Sequence, residues 1–178
     1  MSNVPSAEVA PGDNVANAQT LLGAVEIEGL PITNPIRRLN DRYARLRGQT
    51  NEPHLPHLQD FLEVLDDDLM DYCLVLLPVC SVPFIDFQVL HRGKKIPGSD
   101  VASFKYGEQY TDHILPKFAA ERLLELASCL ALKSRRFSET LSARRSSLKV
   151  RVYRAVFPVW LADHQTHGVI LAIASATC

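Results

Sequence analysis

Long apolar runs are missing from this sequence. No stretch approaches the roughly 18 uncharged, apolar residues that a membrane-crossing helix needs. Residues Met1 to Asp13 also lack the basic start and apolar centre of a secretory leader, so the expected compartment is the cytoplasm. An excess of either charge is missing too: 19 Lys and Arg against 20 Asp and Glu leave a formal net charge of −1. That balance supplies no whole-molecule field to gather nucleic acid or an anionic membrane. Cysteine is sparse, with Cys73, Cys80, Cys129 and Cys178 only, and none are spaced Cys-x-x-Cys. Their mostly apolar neighbours suit reduced, buried thiols better than disulfides or thiolate metal ligands.

Catalytic signatures are missing as well. There is no Gly-x-Ser-x-Gly, Walker loop, Gly-x-Gly-x-x-Gly or His-Glu-x-x-His, so no catalytic residue is expected and the chain reads as a non-enzyme. His54 with His57, and His164 with His167, have the spacing of ligand pairs, but no thiol or carboxylate cluster joins them. Zinc needs about four ligands, or three and a water, so exposed loop histidines are the expectation. The acids Asp66, Asp67, Asp68 and Asp71 lack the glycine and oxygen alternation of a calcium loop and read as a solvated helix face.

What is present is a single domain's worth of chain, 178 residues, with ordinary α+β patterning. Residues 1–20 are small and polar and read as a tail. Thr20 to Ile32 is more apolar without a period, as in a short segment packed on the domain. Asn34 as N-cap, Pro35 at the first position and Gly48 as a left-handed stop predict a helix over 35–47. Ile36, Leu39, Tyr43 and Leu46 share one face of it, with arginines opposite. A proline-rich loop and an acidic helix at about 59–71 follow. Leu74 to Leu77 reads as a central strand with an edge or bulge at Pro78. Phe84 to His91 alternates, placing Ile85, Phe87 and Val89 against a wet face of Asp86 and Gln88. A long helix is expected over 113–134, capped by Asp112, and strands over 136–143, 148–160 and 169–177, the last two joined as a hairpin.

One local bias stands out: Lys133 to Arg154 holds eight Lys or Arg and only Glu139 as an acid. On strands this could neutralise phosphates, but Phe137 and Tyr153 alone interleave it, so nucleic acid is a minor alternative beside a solvated face or a contact for an acidic partner.

The order of two strands, a helical insertion, a long helix and three strands resembles the PAS domain. The residues that carry the resemblance are Asp41-Arg42-Tyr43, Leu69 to Val79, Phe87-Gln88-Val89-Leu90-His91-Arg92-Gly93, Tyr106-Gly107-Glu108-Gln109-Tyr110-Thr111-Asp112 and Val152-Tyr153-Arg154-Ala155-Val156-Phe157-Pro158-Val159. Together they span about residues 34–177 and are similar to the PAS-like single-domain proteins common in alphaproteobacteria, departing from them at Asp112, where that family often has glycine. The resemblance implies a five-stranded antiparallel sheet with helices on one face around a small pocket, an N-terminal flanking helix, a mostly disordered tail over 1–33 and the domain over 34–178. It implies a signalling sensor or adaptor that acts by protein contact, with a signalling protein or itself as a homodimer. Ile36, Leu39, Tyr43 and Leu46 are the expected partner contacts. The alternative is a small-molecule site lined by Tyr106, His113, Phe118, Leu123, Tyr153 and Trp160. No cofactor is expected: the Asn-Cys-Arg flavin motif is missing, and His113, at the start of the long helix, reads as a cap residue rather than a haem ligand.

Overall fold

In a computed structural model of the chain, the described residues are 19–48, 55–81, 84–96, 106–114, 116–143, 149–161 and 166–177. The elements run β1 (Gln19–Leu22), α1 (Ala24–Glu28), α2 (Pro35–Gly48), α3 (Leu58–Glu63), α4 (Asp67–Met70), β2 (Cys73–Ser81), β3 (Phe84–Arg92), a 3-10 turn (Tyr110–His113), α5 (Pro116–Leu132), β4 (Arg136–Ala143), β5 (Lys149–Trp160) and β6 (His167–Thr177). The strands form one antiparallel sheet in the order β1-β4-β5-β6-β2-β3.

The five strands expected after residue 72 are all present, but the sheet has a sixth. β1 comes from the stretch read as mostly tail and pairs Gln19 with Thr140 and Leu22 with Phe137. Residues 1–18 lie outside the described residues.

The helices cover both faces of the sheet rather than one. On the first face Tyr153, Ala155, Phe157, Val159, Ile170 and Ala172 meet Ile27, Ile36, Leu39, Tyr43 and Phe61 from α1 to α3. On the second face Leu74, Leu76, Phe87, Val156, Val169 and Leu171 meet Leu126 and Cys129 of α5. The cause lies in β5 and β6, whose neighbouring residues are apolar on both sides. A single helical layer would leave one of those apolar faces in water.

Local chemistry sets the boundaries. The Asn34 carboxamide accepts the Ile36 N–H at 2.9 Å and Pro35 opens α2, as expected. Gly48 is the last helical residue of α2, and positive φ among the described residues occurs only at Lys133 and Gly107. The acidic segment divides into α3 and α4. Its carboxylates are paired as well as exposed: Asp66 and Asp68 take Arg38 at 2.8 and 3.4 Å, and Lys95 bonds Asp68. That lysine holds the Asp68 carboxyl below its ordinary pKa, first by hydrogen bonding and then by charge.

The long helix starts later than predicted. Asp112 lies in the 3-10 turn, and Pro116 takes the first helical position, where its missing N–H costs no helical hydrogen bond. The helix ends in a Schellman motif: the Ser134 N–H reaches Cys129 O and the Lys133 N–H reaches Leu130 O, both at 3.2 Å, with Lys133 at φ 47°.

The wet face expected of β3 is covered at Asp86, while Gln88 stays partly exposed. Asp86 is buried, and its carboxylate accepts the Phe87 N–H at 2.7 Å and the Thr111 hydroxyl. The Gly107 N–H bonds Val89 O at 2.8 Å and the Val89 N–H bonds Glu108 O at 2.9 Å, so residues 107–111 shield the outer edge of the sheet. Pro78 falls just past the β2–β6 pairing, which stops at Leu76, where its missing N–H leaves no gap in that ladder.

Candidate functional site

The polar centre of the molecule lies between α5 and the second face of the sheet. Alternation along β5 turns Val152, Arg154 and Val156 toward α5. Arg154 pairs across from Ser138 of β4, so both side chains point the same way. On α5, Arg122 and Glu125 are three residues apart and share the side of the helix facing β4.

Glu125 is the hub. Arg154 donates to its Oε2 through Nε at 3.2 Å and Nη2 at 3.1 Å. Ser138 donates to its Oε1 at 2.9 Å, and the Gln19 carboxamide of β1 donates to the same oxygen at 3.4 Å. Arg122 lies 3.7 Å from Oε2 and donates to the Gln19 carbonyl. Arg154 Nη2 also donates to the Tyr110 hydroxyl at 3.2 Å, which ties in the segment between β3 and α5. The side chains of Glu125 and Arg154 are only 5% and 7% exposed.

The electrostatics are unequal. Two guanidinium groups face one carboxylate, a local surplus of one positive charge. Burial works against the charge on Arg154, but Tyr110 and Glu125 outweigh it and hold its pKa above the ordinary arginine value. Arg122 is pulled the other way, by burial first and then by Arg154. The cluster pairs one hydroxyl, that of Ser138, with the Glu125 carboxylate, and both residues are buried. It is a device for holding four elements, β1, β4, β5 and α5, and the 3-10 turn in one arrangement.

The expected pocket residues whose side chains are described do not converge. Tyr106 is 79% exposed, whereas Tyr153 is buried on the first face of the sheet. Leu123 packs on the second face, and Phe118 is half-buried in α5. Trp160 stacks on His167 with ring centroids 3.8 Å apart. The side chain of His113 lies outside the described residues. Alternation along β5 is what separates Tyr153 from the α5 side.

The expected partner contacts on α2 are placed inside the chain. Ile36, Leu39 and Tyr43 have no exposed surface, and Leu46 is partly buried against them. Their apolar face is used within the chain, where Tyr43 donates to Pro158 O at 2.7 Å and meets the rings of Phe61 and Phe157 at 5.6 and 5.1 Å.

The basic segment is dispersed among the described residues. Arg154 is buried, Arg151 lies 3.7 Å from Glu139, and Arg135 donates to Asn40 while its guanidinium sits 5.8 Å from the Tyr43 ring centroid. Arg144, Arg145, His54 and His164 lie outside the described residues. Among the described residues no group of three potential metal ligands occurs, and no helix is long and apolar enough to cross a membrane. Cys73 and Cys129 are free and buried, and burial raises both thiols to about 12. The side chain of Cys80, and Cys178, lie outside the described residues.

Sequence reasoning missed the Glu125 cluster. Two signals were there to be read: a glutamate beside the apolar stripe of α5, and Arg154 as the one charged residue in the run Val152 to Trp160. Compared with protein-family models, curated proteins and solved structures, the chain finds no match.

Proposed function

We propose that this chain is a PAS-like, non-enzymatic regulatory domain that receives a signal at the segment between β3 and α5 and relays it by protein contact. The observation that carries the reading is the placement of that segment. It interrupts a five-strand order of two, then three, and its end is bonded both to β3 through Val89 and to β5 through Tyr110 and Arg154. A change in the segment therefore bears directly on the centre of the sheet. The partner is a signalling protein or a second copy of the chain. Because the apolar face of α2 is used internally, the contact surface lies elsewhere than on Ile36, Leu39 and Tyr43.

A small molecule is the second reading for the signal. It draws on the buried cluster that Leu74, Leu76, Phe87, Val89 and Ile96 form with Tyr110, a combination of apolar side chains and a few fixed polar groups of the kind ligand sites use. Proximity labelling in the host with the tagged chain, together with native mass spectrometry of the purified protein, tests both. Enrichment of a signalling protein, or a dimer mass, is expected. A strictly monomeric protein that labels no signalling partner removes the contact reading, and an apo mass with no ligand-induced rise in Tm removes the ligand reading.

A further inference from the structure

We propose that β1 is a releasable strap on the edge of the sheet, and that the Glu125 cluster couples its release to the position of Tyr110. The inference rests on the sensor reading above and supplies the regulation of that same site.

The strap is lightly held. It joins β4 through four residue pairs and covers little apolar area, since Leu21 is 70% exposed and only Leu22 packs on the core. Short edge segments of this kind occupy the low end of local opening free energies. Its side-chain hold is Gln19, which reaches Arg122 and Glu125 across 103 and 106 residues of sequence.

The hold is wired to the segment between β3 and α5. Tyr110 shares Arg154 Nη2 with Glu125, and Glu125 in turn shares its Oε1 between Ser138 and Gln19. The Gln19 contact, at 3.4 Å, is the longest hydrogen bond that Glu125 accepts, so it is the first to go when the carboxylate moves. A signal that draws the Tyr110 hydroxyl away leaves the Arg154 guanidinium with Glu125 as its remaining partner. The carboxylate follows the arginine, the Gln19 carboxamide loses its acceptor and is left with the Arg122 bond alone, and β1 opens more often. The opened state presents the backbone N–H and C=O groups of β4 from Phe137 to Thr140, an edge that an extended strand can pair with.

Hydrogen–deuterium exchange on the purified full chain, read by mass spectrometry, tests the coupling. Tyr110→Phe keeps the ring and removes only the hydroxyl. It is expected to speed exchange over 19–22 and 136–140 by about tenfold, the effect of losing roughly one net hydrogen bond, while β2 and β6 keep their rates. Gln19→Ala, which cuts the last link, is expected to speed the same peptides. The double variant is then no faster than Gln19→Ala alone, because both changes act on one chain of contacts. Unchanged rates in Tyr110→Phe, uniform acceleration across the whole sheet, or full multiplication of the two effects each overturn the coupling. These measurements use the isolated protein. A coupled strap in a chain that labels no signalling partner leaves this inference standing and removes the contact reading; an uncoupled strap in a chain that labels one does the reverse.

Discussion

Removing Glu125 should show how much of the fold depends on the buried charges. In Glu125→Leu, Arg154 stays charged, since arginine does not lose its proton in a protein, and it keeps only the Tyr110 hydroxyl from its present partners. An exposed ion pair contributes at most about 1 kcal/mol. This pair is 5% and 7% exposed, and stripping one partner from a pair shut away to that degree costs about 3–5 kcal/mol. Against a total stability of about 5–15 kcal/mol, that is a large fraction. In a chain of 178 residues it lowers Tm by roughly 6–20 °C, taking about 2–4 °C per kcal/mol for this size. The double variant Glu125→Leu/Arg154→Met removes both charges of the pair, leaves Arg122 its bond to the Gln19 carbonyl, and should recover to within about 1–2 kcal/mol of the parent. Urea denaturation of the four proteins in the cycle measures both numbers. A loss under about 1 kcal/mol in Glu125→Leu, or a double variant no more stable than the single, would refute the argument that desolvation governs this site.

Three further outcomes follow from other parts of the molecule. Tyr43→Phe keeps the ring among Phe61 and Phe157 but loses the 2.7 Å bond to Pro158 O, which should cost about 1–2 kcal/mol by urea denaturation. At Gly93 an added Cβ would sit 2.2 Å from the Asp71 carbonyl oxygen, so Gly93→Ala must displace backbone and should lower stability by about 1–3 kcal/mol or more in the same assay. Burial, and then Lys133, hold the His167 imidazole below its ordinary pKa of 6.5. The folded state therefore binds fewer protons there than the unfolded one. Its contribution is complete above about pH 6.5 and is lost as pH falls through the lowered value. His167→Asn should flatten that part of the fall in urea midpoint between about pH 7.5 and pH 5, with the emission of Trp160, the chain's one tryptophan, as the probe of its stacking partner. An equal slope in the variant would contradict the assignment.

The sequence carried the order of the elements further than it carried their packing. Strands β2 to β6 were legible because each carries some alternation or an apolar run, such as Leu74 to Leu77 in β2 and Ile85 to Val89 in β3. The α2 boundary was legible because Asn34 and Pro35 act locally. β1 was not, since four residues are too few to show a period and its partner lies beyond residue 136. The second helical layer was hinted at by Ala155-Val156-Phe157-Pro158-Val159, a run with no wet position. The expected pocket residues were dispersed for a different reason. Aromatic type says that a side chain is large, whereas strand register decides which face it joins, so Tyr153 and its neighbour Arg154 ended on opposite sides. Glu125 needed three elements besides its own, one of them 106 residues away, to be read as a hub.

The strand order also fixes when the molecule can close during synthesis. β2 is made early, yet one of its two neighbours is β6, residues 167–177, which leaves the ribosome after every other described strand. β1 waits in the same way for β4, more than 110 residues later. The nascent chain therefore exposes the apolar runs of β2 and β5 until β6 emerges, and joining them requires long loops to close first, which slows folding. Vectorial growth cannot fold this sheet strand by strand, so the chain must stay soluble as a partly assembled intermediate until β6 arrives to join its two halves.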